Sequence, residues 1–491
     1  MKTFGHFIAG KWVKSDSRKT FESANPADPK EVLGKFQLGA EKDVQKAITA
    51  AENAFIKWRE VPAPKRGELI LKAAQLLKQE KERLAKLMVK EMGKVLKEAR
   101  GDVQEAIDIA EYMAGEGRRL FGHTTPSELR DKFAMTIRIP LGVCGLITPW
   151  NFPIAIPAWK IFPALICGNT VILKPSSDTP LMALEFMKIL DKAGFPKGTV
   201  NCVTGSGSVA GKELIENKRV KAISFTGSKE TGEFIAGNAG IKKIGLELGG
   251  KNPIIVMDDA DLNLALEGVI WGAFGTTGQR CTAASRVIIH EKVKKQFEEM
   301  LVSKAKKLRL GSGLKESTDV GPLINEAAVK KSEYYCGIGV KEKAKLLIGG
   351  KRARMNGCFF EPTIFTDVKP GMRIAQEEIF GPVVSLISVK NINEAIKVAN
   401  NIEYGLSSSI YTNNVRNAFL AMQKINAGIT YVNSSTIGSE VHLPFGGTKG
   451  TGNGTREAGI EGINEFSETK TLYIDYSGKL QKAQIDEVKV D

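Results

Sequence analysis

The sequence predicts an α/β protein built from doubly wound parallel sheets in two successive α/β domains. Three observations carry that prediction. The chain has 491 residues, and domains of roughly 100–200 residues make it a two- or three-domain protein. Its composition, 42% hydrophobic and 25% charged, is that of a globular chain rather than a disordered or fibrous one. Short apolar runs closed by Gly, Pro or Ser alternate with helical segments, which is the pattern of βαβ units.

Residues 41–118 read as amphipathic helix. One helix starts at Ala40-Glu41-Lys42-Asp43, and Pro62 to Arg66 interrupts before the next. Residues 134–139 alternate in the manner of a strand. The apolar runs 143–148, 170–173, 200–204, 222–226 and 253–257 are assigned to a first sheet. A second series begins near Leu262, with strands over 285–290, 345–348, 383–388 and 407–411. The tail, 468–476, alternates again and is followed by no helix. It has no evident partner in the chain, and an unpaired strand edge predicts pairing with another subunit.

Composition excludes several classes of function. The 6 cysteines (Cys144, Cys167, Cys202, Cys281, Cys336 and Cys358) are scattered without a C-x-x-C pair, which predicts free thiols in a reducing compartment, the cytoplasm. The 4 histidines are far apart, so no metal site is expected. At the start, Gly10 and Lys11 interrupt the apolar run, so no signal peptide is expected. The most apolar stretch, 152–173, carries Trp159, Lys160 and internal prolines, and is not expected to cross a membrane. The net charge of +15 lies on helices interleaved with Glu. It predicts a surface that favours anionic ligands rather than a nucleic-acid partner.

The motifs narrow the chemistry. There is no G-x-S-x-G elbow. Gly227 to Gly232 has the glycine spacing of a phosphate loop but continues Glu233-Phe234, without the gripping Lys. Gly205-Ser-Gly207-Ser-Val-Ala-Gly211 is one residue longer than the dinucleotide fingerprint. Phe225-Thr226-Gly227-Ser228 ends a strand and opens a helix, where a phosphate can meet backbone N–H groups; an ordinary tight turn reads the same way. In Gly278-Gln279-Arg280-Cys281-Thr282, Cys281 alone among the cysteines has a polar, Gly-rich setting and is a candidate nucleophile. The alternative is a buried free thiol. No His stands out as its partner, so the reaction does not depend on a Cys–His pair. Glu247 lies between two leucines, and burial there would raise its pKa and suit it to be a general base; pairing with a nearby Lys is the alternative. In Thr148-Pro149-Trp150-Asn151-Phe152-Pro153, two prolines fix the backbone around Asn151, whose rigid amide can stabilise an oxyanion. A structural turn is again the alternative.

In order, these segments are TPWNFP, ILKPSSDTP, FTGSKETG, LELGGKNP, GQRC, QEEIFGPV and PFGG. Together they resemble the aldehyde dehydrogenase superfamily over nearly the whole chain, 7–476. The resemblance implies two Rossmann-like domains with a small β arm. The nucleotide-binding domain would span 1–118 and 140–248, the catalytic domain 249–452, and the oligomerisation arm 119–139 and 466–491. It implies Cys281 as nucleophile, Glu247 as base and Asn151 with the Cys281 N–H as oxyanion hole. Thr148, Pro149, Trp150, Lys174, Ser176, Ser177, Gly227, Ser228, Leu248, Gly249, Glu378 and Phe380 would bind the cofactor. Of these, Lys174 would meet the adenosine ribose, Ser228 the pyrophosphate and Glu378 the nicotinamide ribose, with Phe380 beside the ring. Phe152, Trp159 and Phe445 would line an aldehyde tunnel.

The product would be a carboxylic acid released from a Cys281 thioester. Members that pass the acyl group to coenzyme A usually lack the base, and non-enzymatic relatives lose the Cys or the Glu; this chain keeps both. Ser177 stands where NAD-preferring members often carry Glu, so NADP is expected to be favoured and NAD accepted, with Asp178 facing elsewhere. The segment 449–456 is one residue longer than the common form. The loop Asn433-Ser434-Ser435-Thr436, Arg280 and the positive charge point to a semialdehyde or hydroxyaldehyde; broad oxidation of simple apolar aldehydes is the alternative. The resemblance implies a homodimer or, as the favoured form, a homotetramer.

Overall fold

A computed structural model describes residues 1–486; 487–491, the end of the predicted arm, lie outside the described residues. Three long helices follow the N-terminal strands: α1 (Glu41–Trp58), α2 (Ala63–Met92) and α3 (Leu96–Glu116). Pro64 sits in the first turn of α2, where its missing N–H costs nothing. Gly93, at φ +94°, ends α2 in the left-handed conformation that glycine tolerates. Glu98, Asp102 and Glu105 recur on α3 at helical spacing and so share one face.

The first sheet runs in the order Lys243–Glu247, Val220–Thr226, Val143–Ile147, Thr170–Lys174, Val200–Cys202, His6–Ile8 and Lys11–Val13. Its first five strands are parallel. The N-terminal hairpin joins antiparallel at one edge, through Cys202 against Phe7. The chain therefore reverses its winding between Val143–Ile147 and Val220–Thr226. A crevice opens there, beyond the carboxyl ends of the strands, where doubly wound sheets bind ligands. The motif TPWN directly follows the first of these strands, and TGS begins at the last residue of the second.

The second sheet runs Lys345–Ile348, Thr363–Thr366, Val383–Val389, Ala284–His290, Asn252–Val256, Ser407–Tyr411 and Ile429–Val432. All but the first are parallel to their neighbours. The run 253–257 thus belongs to the second sheet, not the first: Asn252–Val256 pairs with Ala284–His290 and Ser407–Tyr411. Strands buried on both faces read alike in either sheet. Only pairing reveals that the chain has already crossed over, through Leu248-Gly249-Gly250-Lys251.

The tail also differs from expectation. Ser467–Asp475 pairs antiparallel with Lys132–Pro140 over its whole length, from Ser467 opposite Pro140 to Asp475 opposite Lys132. Thr124–Pro126 flanks the other side of Lys132–Pro140. The tail strand therefore has an intrachain partner, invisible in sequence because it lies more than 300 positions away. Its outer edge carries no further strand among the described residues.

The apolar stretch 152–173 becomes the buried helix α4 (Ala155–Ile166) and the strand Thr170–Lys174. Among the described residues, no helix is long and apolar enough to cross a membrane, and no cluster of His, Cys, Asp and Glu could hold a metal ion.

Candidate active site

The C-terminal ends of the first sheet face the N-terminal ends of two strands of the second, Asn252–Val256 and Ala284–His290. Two cavities meet at that junction, one of about 130 Å³ and one of about 250 Å³. Cys281, Thr226, Leu248 and Ile156 line both.

Cys281 is the only described cysteine that is not fully buried. The turn before it is strained: Thr276 and Thr277 adopt φ of 50° and 59°, a region that costs a non-glycine residue on the order of 1–3 kcal/mol. Hydrogen bonds offset that cost. The Thr276 N–H donates to Glu98 at 2.9 Å, and the Thr277 hydroxyl donates to the Gly321 carbonyl at 3.0 Å. The side-chain amide of Asn252 donates to the carbonyls of Cys281 and Ala283 at 2.7 and 2.9 Å. Burial first, then the Glu247 and Glu378 carboxylates, push the Cys281 thiol up to about 12. The thiol is therefore protonated at neutral pH and must lose its proton to act.

Glu247 ends the strand Lys243–Glu247. Its side chain is buried and neither oxygen has a hydrogen-bond partner. Burial, then the Glu457 carboxylate, hold its pKa well above the ordinary range, with Lys160 opposing. The alternative of a Glu–Lys pair is therefore not realised. The nearest candidate, Lys160, is bonded to Glu457 and, at 2.8 Å, to the Ser224 hydroxyl. A Cβ on Gly446 would lie 2.5 Å from Glu247 Oε1, and the backbone there has φ +148°. The first glycine of PFGG thus makes room for this carboxylate.

Asn151 is buried, and its side-chain nitrogen donates one hydrogen to the Gln279 carbonyl at 3.1 Å. The amide carries two hydrogens, and Asn151 shares the larger cavity with Cys281. Gln279 is held in turn by the Ile324 N–H at 2.9 Å.

Pro149, Trp150, Gly227, Ser228, Leu248, Gly249, Glu378 and Phe380 also line the larger cavity. The Gly250 N–H donates to the Glu378 carboxylate at 2.8 Å, and a Cβ on Gly249 would come within 2.6 Å of it. Phe380 stands edge-on to Trp150, with centroids 5.4 Å apart. Ser228 caps the helix Lys229–Asn238 by accepting from the Thr231 N–H. Lys331 joins this wall without any motif to announce it.

Thr148, Lys174, Ser176 and Ser177 do not line either cavity. The Thr148 N–H donates to the Lys174 carbonyl at 3.2 Å. Burial pulls the Lys174 ammonium down to about 8, with Cys202 and Asp178 opposing. The Ser177 hydroxyl donates to the Gly205 carbonyl at 3.1 Å. Asp178 accepts from the Asn325 amide at 2.9 Å and the Ser176 hydroxyl at 3.3 Å.

Phe152, Trp159 and Phe445 line the smaller cavity; Trp159 and Phe445 meet edge-on at 5.2 Å. Arg280 lines it too. The guanidinium lies over Trp271 and Phe152, 4.8 and 5.3 Å from their centroids, and donates to the Thr276 hydroxyl at 2.8 Å. Ser435 and Thr436 do not reach the cavity: their hydroxyls donate to the carbonyls of Gly268 and Thr282. That loop's polarity satisfies backbone rather than substrate. Motif reading missed Glu105 and Glu457, which line the cavity, and Lys160 and Glu465 behind it. The one available signal was the row of acids on α3.

The model of the aldehyde dehydrogenase family matches residues 12–472. The chain is 42% identical to the α-ketoglutaric semialdehyde dehydrogenase of Bacillus subtilis over 96% of this chain and 98% of that protein. It is 43% identical to the α-ketoglutarate semialdehyde dehydrogenase of Haloferax volcanii over 96% and 99%. The crystal structure of a Staphylococcus aureus betaine aldehyde dehydrogenase in complex with NAD+ superposes with a TM-score of 0.95 at 36% identity, covering 97% of this chain and 95% of that one.

Proposed function

This chain belongs to the aldehyde dehydrogenase family and is an NAD(P)-dependent aldehyde oxidoreductase, and from that premise we propose that it oxidises a semialdehyde through a covalent Cys281 thioester. The observation that carries the reading is the meeting of Cys281, Asn151 and an unpartnered, buried Glu247 at the junction of two cavities.

The larger cavity suits a nicotinamide cofactor. Glycine at 249 leaves space against the Glu378 carboxylate, and Gly227 and Ser228 open a helix N-terminus that favours a phosphate. Glu378 would take the nicotinamide ribose, and Pro149, Trp150, Leu248, Gly249 and Phe380 would enclose it. Lys174, Ser176 and Ser177, with the adjoining Thr148 backbone, would hold the adenosine end. When bound, the cofactor supplies the hydride acceptor.

The chain's own residues do the rest. The Cys281 thiol gives its proton up to solvent, and the resulting thiolate bonds to the aldehyde carbon in the smaller cavity. The carbonyl oxygen becomes an oxyanion, held by the free amide hydrogen of Asn151 and the Cys281 N–H. Loss of a hydride from that adduct leaves a thioester. Glu247 then takes a proton from water, the resulting hydroxide attacks the acyl carbon, and the C–S bond breaks to release the acid and the thiolate. No amine leaves, so no His is needed to protonate one.

NADP is favoured and NAD accepted. Ser177 is neutral, Lys174 brings a cation, and Asp178 is already engaged by Asn325 and Ser176. A semialdehyde is supported by Arg280 on the wall of the smaller cavity and by the names of the Bacillus and Haloferax relatives. The aromatic walls favour a second reading, broad oxidation of apolar aldehydes. The open edge of Ser467–Asp475, with Tyr473 and Ile474 66% and 53% exposed, supports self-association to a dimer or tetramer. Six free thiols support a reducing, cytoplasmic setting. Light scattering at micromolar concentration should give two or four times 53.4 kDa.

Two measurements test the proposal. Cys281→Ser should abolish formation of reduced nicotinamide yet retain nucleotide binding; full activity would refute the assignment. Wild-type kcat/KM should be higher for a semialdehyde than for an alkanal of equal length, and the reverse order would establish the apolar reading.

A further inference from the structure

Three carboxylates line the smaller cavity: Glu247, Glu457 and Glu105. Glu247 is assigned to water, Glu457 is paired with Lys160, and the mechanism leaves Glu105 without a task. Its neighbours on the same face of α3 are already committed. Glu98 accepts from the Thr276 N–H and lies 3.6 Å from Arg280. Asp102 accepts from the Ala155 N–H at 2.8 Å and pairs with Lys94 at 2.8 Å, both buried. Among the described residues, no hydrogen bond or ion pair reaches the Glu105 carboxyl. It shares the cavity wall with Arg280.

A semialdehyde with its reacting carbon at Cys281 must place its far carboxylate somewhere in this cavity, and among the described residues Arg280 is the only cation on the wall. That guanidinium already faces Glu98. The substrate would bring another carboxylate to the same charge, and an ionised Glu105 would add one more. Like charges that crowd one site retain a proton, and Glu105 is the acid of this α3 face with no partner to keep it ionised. We infer that Glu105 is a specificity-determining residue: its protonated carboxyl donates a hydrogen bond to the far carboxylate of the substrate, while Arg280 supplies the opposing charge. This rests on the semialdehyde reading and deepens it.

The electrostatics of the site agree. Burial first, then Asp102, push Glu105 up to about 8; Arg280 and Lys94 oppose, and Asp108 adds to the rise. These charges come from α3 itself (Asp102, Asp108), from Lys94 in the turn before α3 and from Arg280 in the Cys281 loop; Glu98 lies beside Arg280, and Glu247, at the end of its strand, and Glu457 share the cavity wall with Glu105. The proton is required for binding. The advantage of an anionic substrate is therefore present below about pH 8 and falls above it, by about tenfold per pH unit for a single linked proton.

The experiment measures the ratio of kcat/KM for a semialdehyde to that for an alkanal of equal length, across pH 6 to 9. The ratio cancels the titration of Cys281 and Glu247. In the wild type it should fall above about pH 8. Glu105→Gln keeps a donor without a titrating proton, so its ratio should be flat with pH. Glu105→Ala should lower the ratio at neutral pH by roughly ten- to a hundredfold, the range for hydrogen bonds to charged groups. A flat wild-type ratio together with an unchanged Glu105→Ala ratio overturns the inference. So does a Glu105→Gln enzyme that gains on the semialdehyde and loses on a quaternary-ammonium aldehyde, because Glu105 would then be an ionised selector for cations. Arg280→Gln separates the two levels. If it lowers the ratio and the Glu105 variants do not, only the role of Glu105 fails. If the wild type shows no semialdehyde preference at all, the substrate reading fails with it.

Discussion

The side-chain nitrogen of Asn252 lies 2.7 Å from the Cys281 carbonyl oxygen, and the Asn252 side-chain oxygen accepts from the Ser407 N–H at 2.9 Å. One buried amide thus ties the loop of Cys281 to two strands of the second sheet. That loop carries two threonines at positive φ, so it needs such a clamp to hold its shape.

Asn252→Ala should therefore slow acylation. It removes two donors and one acceptor from a buried site, and leaving such groups unpaired costs about 1–3 kcal/mol each. Both kcat and stability should fall, while nucleotide affinity, measured by fluorescence quenching, should hold. A variant with the parental rate of acylation would show that the loop keeps its geometry unaided.

Glu247→Gln should separate the two halves of the reaction. The thioester should accumulate, giving a pre-steady-state burst of reduced nicotinamide followed by slow turnover. In the wild type the carboxyl accepts a proton only when ionised, and burial beside Glu457 raises its pKa. Deacylation should therefore accelerate as pH rises through that raised value, and the Gln variant should lose this dependence. Parental steady-state turnover in the variant would remove Glu247 from the water-activating step.

Asn151→Ala deletes the proposed oxyanion donor and should lower kcat by roughly 10²–10³, with little change in KM. The Gln279 carbonyl loses its partner at the same time, but its own side chain remains bonded to the Ile324 N–H, so the loop should persist. A loss of less than tenfold would mean that the backbone N–H alone stabilises the oxyanion.

Ser177→Glu should move cofactor preference toward NAD. A carboxylate there repels the extra phosphate of NADP and can accept from the free ribose hydroxyls. The comparison is kcat/KM with each nucleotide in both proteins. A wild type at least tenfold more efficient with NAD would point instead to Asp178 as the ribose ligand, despite its bonds to Asn325 and Ser176.

Much of this site was legible before the fold. Cys281, Glu247 and Asn151 each sit in a local setting that predicts chemistry: small polar neighbours, an apolar frame, and a proline-fixed turn. What local setting could not show was the company they keep. Lys160 reads as a lone cation in an apolar helix, and Glu457 as one acid among many, yet they form a buried pair beside Glu247. The hydroxyls of Asn433-Ser434-Ser435-Thr436 suggest a polar substrate, but Ser435 and Thr436 serve backbone carbonyls.

The sequence by itself determined the alternation of strand and helix, the breaks between the first helices, and which thiol and which carboxyl are the candidates for nucleophile and base, because these follow from short-range pattern and side-chain chemistry. Only the tertiary structure decided which sheet the strand Asn252–Val256 joins, and that Ser467–Asp475 finds its partner in Lys132–Pro140. It alone decided that, of the acids on α3, Glu98 reaches the loop of Cys281 and Glu105 the wall of its cavity. The reason is physical. A strand buried on both faces carries the same apolar signature wherever it pairs, and the proton affinity of a carboxyl depends on burial and on charges brought near it by distant parts of the chain.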